Sequence, residues 1–226
     1  MGEIGNMPEI MINGSEGRLE AKYHLSEHDN PPIALILHPH PQHGGTMNNK
    51  VVHAIYKTFV SKGFNVLRFN FRGVGRSEGR YSHGEGELRD ALTALEFLIS
   101  LNPHTPSCWI SGFSFGAWIA MQLLMRRPDV SGFITVSPPA NLYDFTFLSP
   151  CPVNGTIIQG DKDSIVDWRS VQTLAKRLDC QKDVAVKFDL ISGADHFFHD
   201  RIDVLTQTIE TFLDAETLSL FKAANY

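Results

Sequence analysis

The sequence predicts an α/β protein in which helices cover both faces of a mostly parallel sheet. From residue 32 onward, short runs of β-forming residues alternate with amphipathic helical stretches, an order that is typical of parallel sheets. The run at 33–37 (IALIL) is apolar throughout, as expected for a strand that is buried on both faces.

The predicted elements follow one another with short connections. Two strands around GSEG (14–17) are expected to form an antiparallel hairpin at the edge of the sheet. The helix after strand 33–37 is expected to begin at the N-cap Asn48 and to stop at Gly63. Further strands are predicted at 65–71, 108–111, 133–136, 155–159 and 184–191. Further helices are predicted around 88–101, at 117–127, at 168–178 and at 202–213.

The composition indicates a globular chain with a small-molecule partner. The 226 residues are 42% hydrophobic and 20% charged, and a chain of this size can bury about 70% of its unfolded surface. We therefore expect one domain over residues 1–226. The net charge of -5 and the pI near 6.0 leave no basic stripe, which argues against a nucleic-acid partner.

The sequence also predicts a cytoplasmic location without a membrane partner. The start, MGEIGNMPEI, lacks the cationic and apolar regions of a signal peptide. No apolar run reaches the roughly 18 residues that span a bilayer. Cys108, Cys151 and Cys180 are scattered and odd in number, which favours reduced core thiols over disulfides or a zinc site.

The stretch SGFSFGAW (111–118) places Ser114 between two glycines, where an apolar strand is predicted to turn into a helix. A nucleophilic serine on such a strained turn needs glycine on both sides because side chains there would collide. Gly112 and Gly116 occupy these positions. Since a serine hydroxyl is a poor nucleophile at neutral pH, it also needs a base, and the base needs an acid that holds its tautomer.

Candidates for the acid and the base follow the last two predicted strands. In GDKDSIV, the form G-x-x-D-x-x-V favours Asp163 as the acid, and Asp161 is interpreted as a turn residue that bonds its own backbone. In SGADHFFHD, His196 is the predicted base, and its rival His199 is expected to face solvent. Open α/β sheets place their sites beyond the carboxyl ends of the strands, and all three predicted residues lie there.

Two backbone NH groups are predicted to form an oxyanion hole. One belongs to Phe115, which follows the nucleophile. The other comes from the loop HPHPQH, where Pro39 and Pro41 carry no NH, so that His40 is the donor nearest the strand end. The predicted substrate-binding residues are Phe113, Tyr143 and Phe197, although core packing explains such aromatic residues equally well.

Five motifs taken in order, HPHPQHGGTM, FRGVGRSEG, GFSFGA, GDKDSIV and GADHFF, resemble those of the α/β-hydrolase superfamily. The resemblance is to its small, lidless bacterial members related to dienelactone hydrolases, and it covers nearly the whole chain from about residue 30. It implies the α/β-hydrolase fold with an eight-stranded sheet, a triad of Ser114, His196 and Asp163, and no cofactor. Dienelactone hydrolases carry cysteine at the nucleophile position, so the resemblance does not extend to their substrate. The segment SPPANLYDFTFLSPCPV is too short for a helical cap, which implies an open site without a cap domain.

The sequence therefore predicts a serine hydrolase of the carboxylesterase or thioesterase type that cleaves a small acyl ester without a metal ion. One alternative is a metal-dependent hydrolase, because His38, His40 and His43 imitate an H-x-H-x-D-H ligand run. Gln42 replaces the aspartate of that run and is a poor ligand for a second metal.

A second alternative is a binding protein that keeps the hydrolase fold without its chemistry. Such a protein would be expected to lose a member of the triad, and none is lost in this sequence. The tail AETLSLFKAANY exposes Leu218, Leu220 and Phe221 if it extends past the body of the protein, which suggests a homodimer contact.

Overall fold

The computed structural model describes residues 9–148, 150–180 and 184–223, with side chains described as far as Glu216. Its strands are β1 (Glu9–Gly14), β2 (Gly17–His24), β3 (Ile33–Leu37), β4 (Asn65–Phe69), β5 (Cys108–Phe113), β6 (Val130–Val136), β7 (Gly155–Gly160) and β8 (Val186–Ile191). Its helices are α1 (Lys50–Ser61), α2 (Glu85–Leu101), α3 (Phe115–Leu124), α4 (Trp168–Asp179) and α5 (Ile202–Ala223). A short 3₁₀ helix spans Pro41–His43.

The strands form one sheet in the order β1-β2-β4-β3-β5-β6-β7-β8. β1 and β2 form an antiparallel hairpin at one edge, and β2 also pairs antiparallel with β4. All pairings from β4 to β8 are parallel. The predicted eight-stranded, mostly parallel sheet is therefore confirmed, and the carboxyl ends of six strands share one edge.

Helices pack on both faces of this sheet. In β3, Ile33, Leu35 and Leu37 belong to the core beneath α2, α3 and α4, whereas Ala34 and Ile36 belong to the core beneath α1 and α5. Every side chain of β3 is buried, because successive residues of a strand point to opposite faces. This two-sided burial explains why the strand is apolar at every position.

The N-cap of α1 was predicted wrongly by one residue. The side-chain oxygen of Asn49, rather than that of Asn48, accepts hydrogen bonds from the NH groups of Val51 at 2.9 Å and Val52 at 3.5 Å. The neighbouring Asn48 lies near the guanidinium of Arg68 instead. Both asparagines can cap a helix, so the pattern alone does not separate two adjacent ones.

Five strand boundaries also differ from the prediction, among them the end of β7 at 160 instead of 159 and the start of β8 at 186 instead of 184. β4 ends at Phe69 instead of residue 71, because the NH of Phe71 bonds to the His38 ring instead of to a neighbouring strand. β5 continues to Phe113 instead of residue 111, since its last two residues pair with Thr135 and Val136 of β6. β6 begins at 130 instead of 133.

The carboxyl edge of the sheet is open. In the segment 137–154 between β6 and β7, the described residues form turns and no helix, and the predicted absence of a cap domain is confirmed. Among the described residues, no helix has the length and apolar character needed to cross a bilayer. The side chains of Leu218, Leu220 and Phe221, on which the predicted homodimer contact depends, lie outside the described residues.

Candidate active site

Ser114 lies on a sharp turn between β5 and α3. Its backbone has a φ of 55° and a ψ of -119°, a conformation that strains a residue with a side chain. The NH of Ser114 donates to the Val136 carbonyl at 2.9 Å, and its carbonyl accepts from the Ala117 NH at 2.9 Å. Hydrogen bonds on both sides thus hold the strained turn.

The two flanking glycines are required by close backbone contacts. A Cβ atom on Gly112 would overlap the carbonyl oxygen of Gly116. A Cβ atom on Gly116 would overlap the carbonyl oxygens of Leu37 and His38 at the end of β3. Because backbone atoms cannot move aside as a flexible side chain can, each position excludes any residue larger than glycine.

The structure brings together Ser114, His196 and Asp163 from three separate loops. His196 Nε2 lies 3.1 Å from Ser114 Oγ, and His196 Nδ1 lies 2.7 Å from Asp163 Oδ2. Only 5% of His196 is exposed, and its ring packs on that of Phe113 with centroids 5.0 Å apart. Phe197 covers another side of the same ring.

The Asp163 carboxylate is buried and held by four donors. Oδ2 accepts from His196 and from Gln159 Nε2 at 2.9 Å, and Oδ1 accepts from the NH groups of Ile165 at 2.9 Å and Val166 at 2.8 Å. Burial opposes the ionised form, but the hydrogen bonds from His196 and the backbone outweigh it and lower the pKa of Asp163.

The ionised carboxylate determines which ring nitrogen of His196 carries the proton. A carboxylate can only accept hydrogen bonds, so Nδ1 of His196 must be the donor. In the neutral imidazole, Nε2 then presents its lone pair, and this atom faces the Ser114 hydroxyl. The three side chains can therefore pass a proton from serine oxygen to histidine nitrogen.

The two rival residues have other partners. His199 is exposed, as predicted, and its Nδ1 lies 2.7 Å from Asp195 Oδ2. Asp161 does not bond its own backbone, so that interpretation was wrong. Its carboxylate accepts from the NH of Gly193 at 2.7 Å and from the hydroxyl of Ser192 at 3.2 Å, because β7 and β8 are neighbours and their following loops meet.

His38, the first histidine of the HPHPQH loop, is completely buried. Its Nε2 lies 3.0 Å from the NH of Phe71, and its Nδ1 lies 2.6 Å from the Pro39 carbonyl oxygen. Since Nε2 must accept, Nδ1 carries the proton and donates. Burial lowers the pKa of His38 to about 4. A trans peptide carries its C=O and NH on opposite sides, so the NH of His40 points away from the His38 ring.

The ring of His40 is also fully engaged. Its Nδ1 accepts from the Gln42 NH at 3.2 Å, and its Nε2 lies 3.1 Å from the Tyr81 hydroxyl. Burial and the neighbouring imidazoles of His43 and His83 lower the pKa of His40. Because His38 and His40 use both ring nitrogens within the protein, the loop offers a metal ion a poor ligand set. Among the described residues, no group of three or more His, Cys, Asp or Glu side chains is arranged around a common point.

A cavity of about 260 Å³ opens directly above Ser114. Both predicted oxyanion-hole residues, His40 and Phe115, contribute to its wall. Gly45 also lines it, and this position requires glycine because a Cβ would overlap the Pro39 carbonyl. No Asp, Glu, Lys or Arg is among the described residues that line it. The lining residues are Pro39, His40, His43, Gly44, Gly45, Asn49, Ser114, Phe115, Pro139, Leu142, Tyr143, Ile165, His196 and Phe197.

Two of the three predicted substrate-binding residues lie in this cavity and one does not. Tyr143 and Phe197 line it. The prediction that Phe113 binds substrate is wrong. Phe113 is the last residue of β5, is fully buried, and packs in the core beneath α1 and α5. Its ring supports the imidazole of His196 from below, so a substrate cannot reach it.

The sequence did not reveal several residues that shape the site. Tyr81 is one, because nothing in the loop RYSHGEG indicates that its hydroxyl meets His40. Gln159 is another, although its position four residues before Asp163 on a buried strand is a signal that could have found it. Leu142 and Ile165 are further examples, since they come from turns with no pattern of their own.

The chain is similar to proteins from several bacteria over most of its length. A family model described as serine aminopeptidase, S33, matches residues 40–151. The uncharacterized protein RP471 of Rickettsia prowazekii is 50% identical over 211 residues, which are 92% of this chain and 89% of that protein. The structure of ATU1826 from Agrobacterium tumefaciens has a TM-score of 0.91 and 48% identity, covering 94% of this chain and 97% of the other.

Two further similarities bear on chemistry. XC6422 from Xanthomonas campestris, described as an α/β serine hydrolase without lid, has a TM-score of 0.83 and 31% identity over 92% of this chain and 94% of its own. The lysophosphatidylserine lipase ABHD12 of Rattus norvegicus is 29% identical over 181 residues, or 70% of this chain. This chain spans 44% of the length of that lipase.

Proposed function

The chain belongs to the α/β hydrolases, among their small members without a lid, and from this premise we propose that it is a carboxylesterase or thioesterase. The observation that carries the proposal is the hydrogen-bonded series from Ser114 through His196 to Asp163, with distances of 3.1 and 2.7 Å. The substrate is a small acyl ester or thioester, and the reaction needs no cofactor or metal ion. The finer resemblance to dienelactone hydrolases stays a prediction.

The proposed reaction proceeds through an acyl-enzyme. His196 Nε2 takes the proton of Ser114 as its oxygen attacks the acyl carbonyl carbon. The tetrahedral intermediate collapses, and the leaving alcohol or thiol departs with the proton from His196. Water then attacks the acyl-enzyme, giving its proton to the same nitrogen. The acid is released, and Ser114 recovers its proton from His196.

The backbone supplies the charge stabilisation in this scheme. We assign the oxyanion hole to the NH groups of Phe115 and His40. Phe115 is the first residue of α3, and the first NH groups of a helix have no carbonyl partner within it. His38 acts as a positioning residue, because its hydrogen bond to the Pro39 carbonyl orients the peptide that carries the His40 NH.

The absence of acidic side chains from the described cavity lining supports an ester substrate over a peptide amino terminus. A protonated amine in a partly buried site needs a carboxylate partner, and no acidic side chain is among the described residues lining the cavity. The similarity to a lysophosphatidylserine lipase also supports an ester substrate. We also propose a cytoplasmic setting, which the odd and scattered set of three cysteines supports.

Labelling with a fluorophosphonate probe, followed by peptide mapping, tests the proposal. We expect modification of Ser114 in the wild type, no modification in Ser114→Ala, and strongly reduced modification in His196→Ala. His199→Ala is the matched control, because His199 lies in the same loop but pairs with Asp195, and it should be labelled as the wild type is. Ser114→Ala should also lower kcat for 4-nitrophenyl acetate by roughly a million-fold.

Repeating the labelling and the esterase assay in the presence of a chelator separates the serine hydrolase from the metal-dependent hydrolase and from the non-catalytic binding protein. Labelling and esterase activity that survive a strong chelator support the serine mechanism. Activity that is lost with the chelator and restored by zinc would instead support a metal-dependent hydrolase. A folded protein with neither labelling nor turnover would support the non-catalytic binding protein and overturn the proposal.

A further inference from the structure

Three large apolar side chains stand exposed around the mouth of the serine cavity. Leu142 is 61% exposed, Ile165 is 46% exposed and Phe197 is 41% exposed, and all three line the cavity. They come from three different loops, after β6, β7 and β8 respectively. Single exposed apolar residues are ordinary on protein surfaces, whereas a cluster around one opening marks a binding surface.

Hydrogen bonds hold this apolar rim, defined as Leu142, Ile165 and Phe197, in place. The NH of Leu142 donates to the Pro139 carbonyl at 3.0 Å, and the side-chain amide of Asn141 donates to the Ile165 carbonyl at 3.1 Å. The second bond ties the turn after β6 to the loop after β7. The NH of Ile165 is in turn bonded to Asp163, so two of the rim loops are joined to each other and to the candidate triad.

The size of the cavity indicates what lies against the rim. Pockets that enclose a whole small molecule measure about 300–1,000 Å³, and this cavity measures about 260 Å³. It can therefore hold the reacting ester and a short segment on either side of it. A longer substituent must leave the cavity across the rim. There it meets apolar side chains, and no Asp, Glu, Lys or Arg is among the described residues that line the cavity.

We propose that the apolar rim binds an alkyl chain of the substrate, so that the preferred substrates are medium-chain esters rather than acetates. This inference rests on the proposed ester hydrolysis at Ser114 and names the substrate class of that same site. The alkyl chain belongs to the acyl group or to the leaving alcohol, and two series of esters distinguish these cases.

Two series of esters, kept below their critical micelle concentrations, test the inference. The first varies the acyl group of 4-nitrophenyl esters from acetate to octanoate, and the second varies the alcohol of acetates from ethyl to octyl. In the wild type we expect kcat/KM to rise with chain length in one series, by up to about fourfold per methylene that becomes buried. The series that rises identifies the acyl or the alcohol chain as the ligand.

Rim variants show whether the rise depends on these side chains. In Leu142→Ser combined with Ile165→Thr, we expect the ratio of octanoate to acetate kcat/KM, or the corresponding alcohol ratio, to fall by about tenfold. Leu25→Ser and Leu101→Ser are matched controls, because they also remove exposed leucines but lie at the opposite edge of the sheet. Both controls should keep the wild-type ratio.

The outcomes of the inference and of the proposed function differ. If the wild type hydrolyses acetates but shows no rise in either series, or if the rim variant keeps the wild-type ratio, the inference is overturned while ester hydrolysis stands. If the rim variant changes the mass in solution from dimer to monomer without changing the ratio, the rim is a contact between two copies, and the inference is again overturned. A wild type that neither hydrolyses esters nor reacts with fluorophosphonate overturns the proposed function itself.

Discussion

The loop after β3 and the loop after β8 each bury a histidine at the carboxyl edge of the sheet, yet the two imidazoles do opposite things. His38 bonds to backbone groups through both ring nitrogens and is wholly inaccessible. His196 bonds to a carboxylate through Nδ1 and faces a serine hydroxyl with Nε2. Both rings are fixed by a hydrogen bond at Nδ1. They differ in the partner of Nε2, which is a backbone NH for His38 and the Ser114 hydroxyl for His196.

This comparison teaches that burial alone does not indicate a catalytic histidine. An imidazole that both donates to and accepts from the backbone has no capacity left for a reacting proton. An imidazole whose proton is held by a carboxylate keeps its other lone pair directed at the nucleophile. His38 therefore stabilises the loop that carries the proposed oxyanion donor, while His196 is the proposed base.

The comparison is tested most strongly by removing each histidine in turn. His196→Ala should lower kcat for 4-nitrophenyl acetate by roughly a million-fold, since the base and the nucleophile act as a unit. His38→Gln should cost at most about a thousandfold, the effect of losing one oxyanion-hole donor. Steady-state kinetics on variants with verified folding would measure both. Equal losses for the two variants would contradict the division of roles.

Replacing the acid should give the next largest effect. Asp163→Asn should lower kcat by roughly ten-thousand-fold, because a neutral amide can donate to Nδ1 and so favour the wrong tautomer of His196. The pH dependence of kcat over pH 5–9 should change as well, since the charge beside His196 is lost. An Asp163→Asn enzyme within tenfold of the wild type would show that another group orients the imidazole.

The buried state of His38 should appear as a pH-dependent stability. The unfolded chain takes up a proton at this histidine near pH 6.5, whereas the folded protein does so near pH 4. Within this window the unfolded state binds more protons, so stability falls as the pH drops through it, by roughly 3 kcal/mol in all.

Denaturant unfolding at several pH values between 7 and 4.5 would measure this slope. In His38→Gln and His38→Asn, the free energy of unfolding should depend less steeply on pH, because the contribution of His38 is absent. Asp163 contributes to stability in a lower pH range. Because its pKa is lowered, this contribution is present above the unfolded pKa of about 3.9 and is lost below it. Parallel pH profiles for the wild type and both variants would contradict a buried, neutral His38.

The smallest expected effect concerns the contact between Tyr81 and His40. Tyr81→Phe removes the hydroxyl that lies 3.1 Å from His40 Nε2. We expect kcat to fall by about three- to tenfold, the size of one ordinary hydrogen bond, because the backbone of His40 is then held less firmly. KM should change less than kcat, since the oxyanion forms only after binding. A raised KM with kcat unchanged would instead make Tyr81 a substrate contact.

Much of the fold could be predicted because it depends on periodicity. Two-sided burial makes β3 apolar at every position, and the amphipathic spacing of α4 leaves only its inner face buried. Element ends were less predictable. Whether Asn48 or Asn49 caps α1 and whether β5 continues to Phe113 depend on hydrogen bonds to partners far along the chain.

The order of motifs along the sequence was enough to indicate Ser114, Asp163 and His196, because parallel strands bring the loops after them to one edge of the sheet. The glycines beside Ser114 were equally legible, since a Cβ at either position would overlap backbone. The role of Phe113 could not be predicted from the motif, because its side-chain direction follows from the pleat of β5 and places it in the core.

The sequence by itself determined the fold class, the eight-stranded sheet that its resemblance implied, and which three side chains to bring together. Only the tertiary structure decided which ring nitrogens of His38 and His40 are already used, and which apolar residues stand at the cavity mouth. The physical reason is that motif spacing and periodicity are properties of neighbouring residues. Hydrogen-bond saturation and exposure depend on groups that meet only when distant loops pack at the same edge of the sheet.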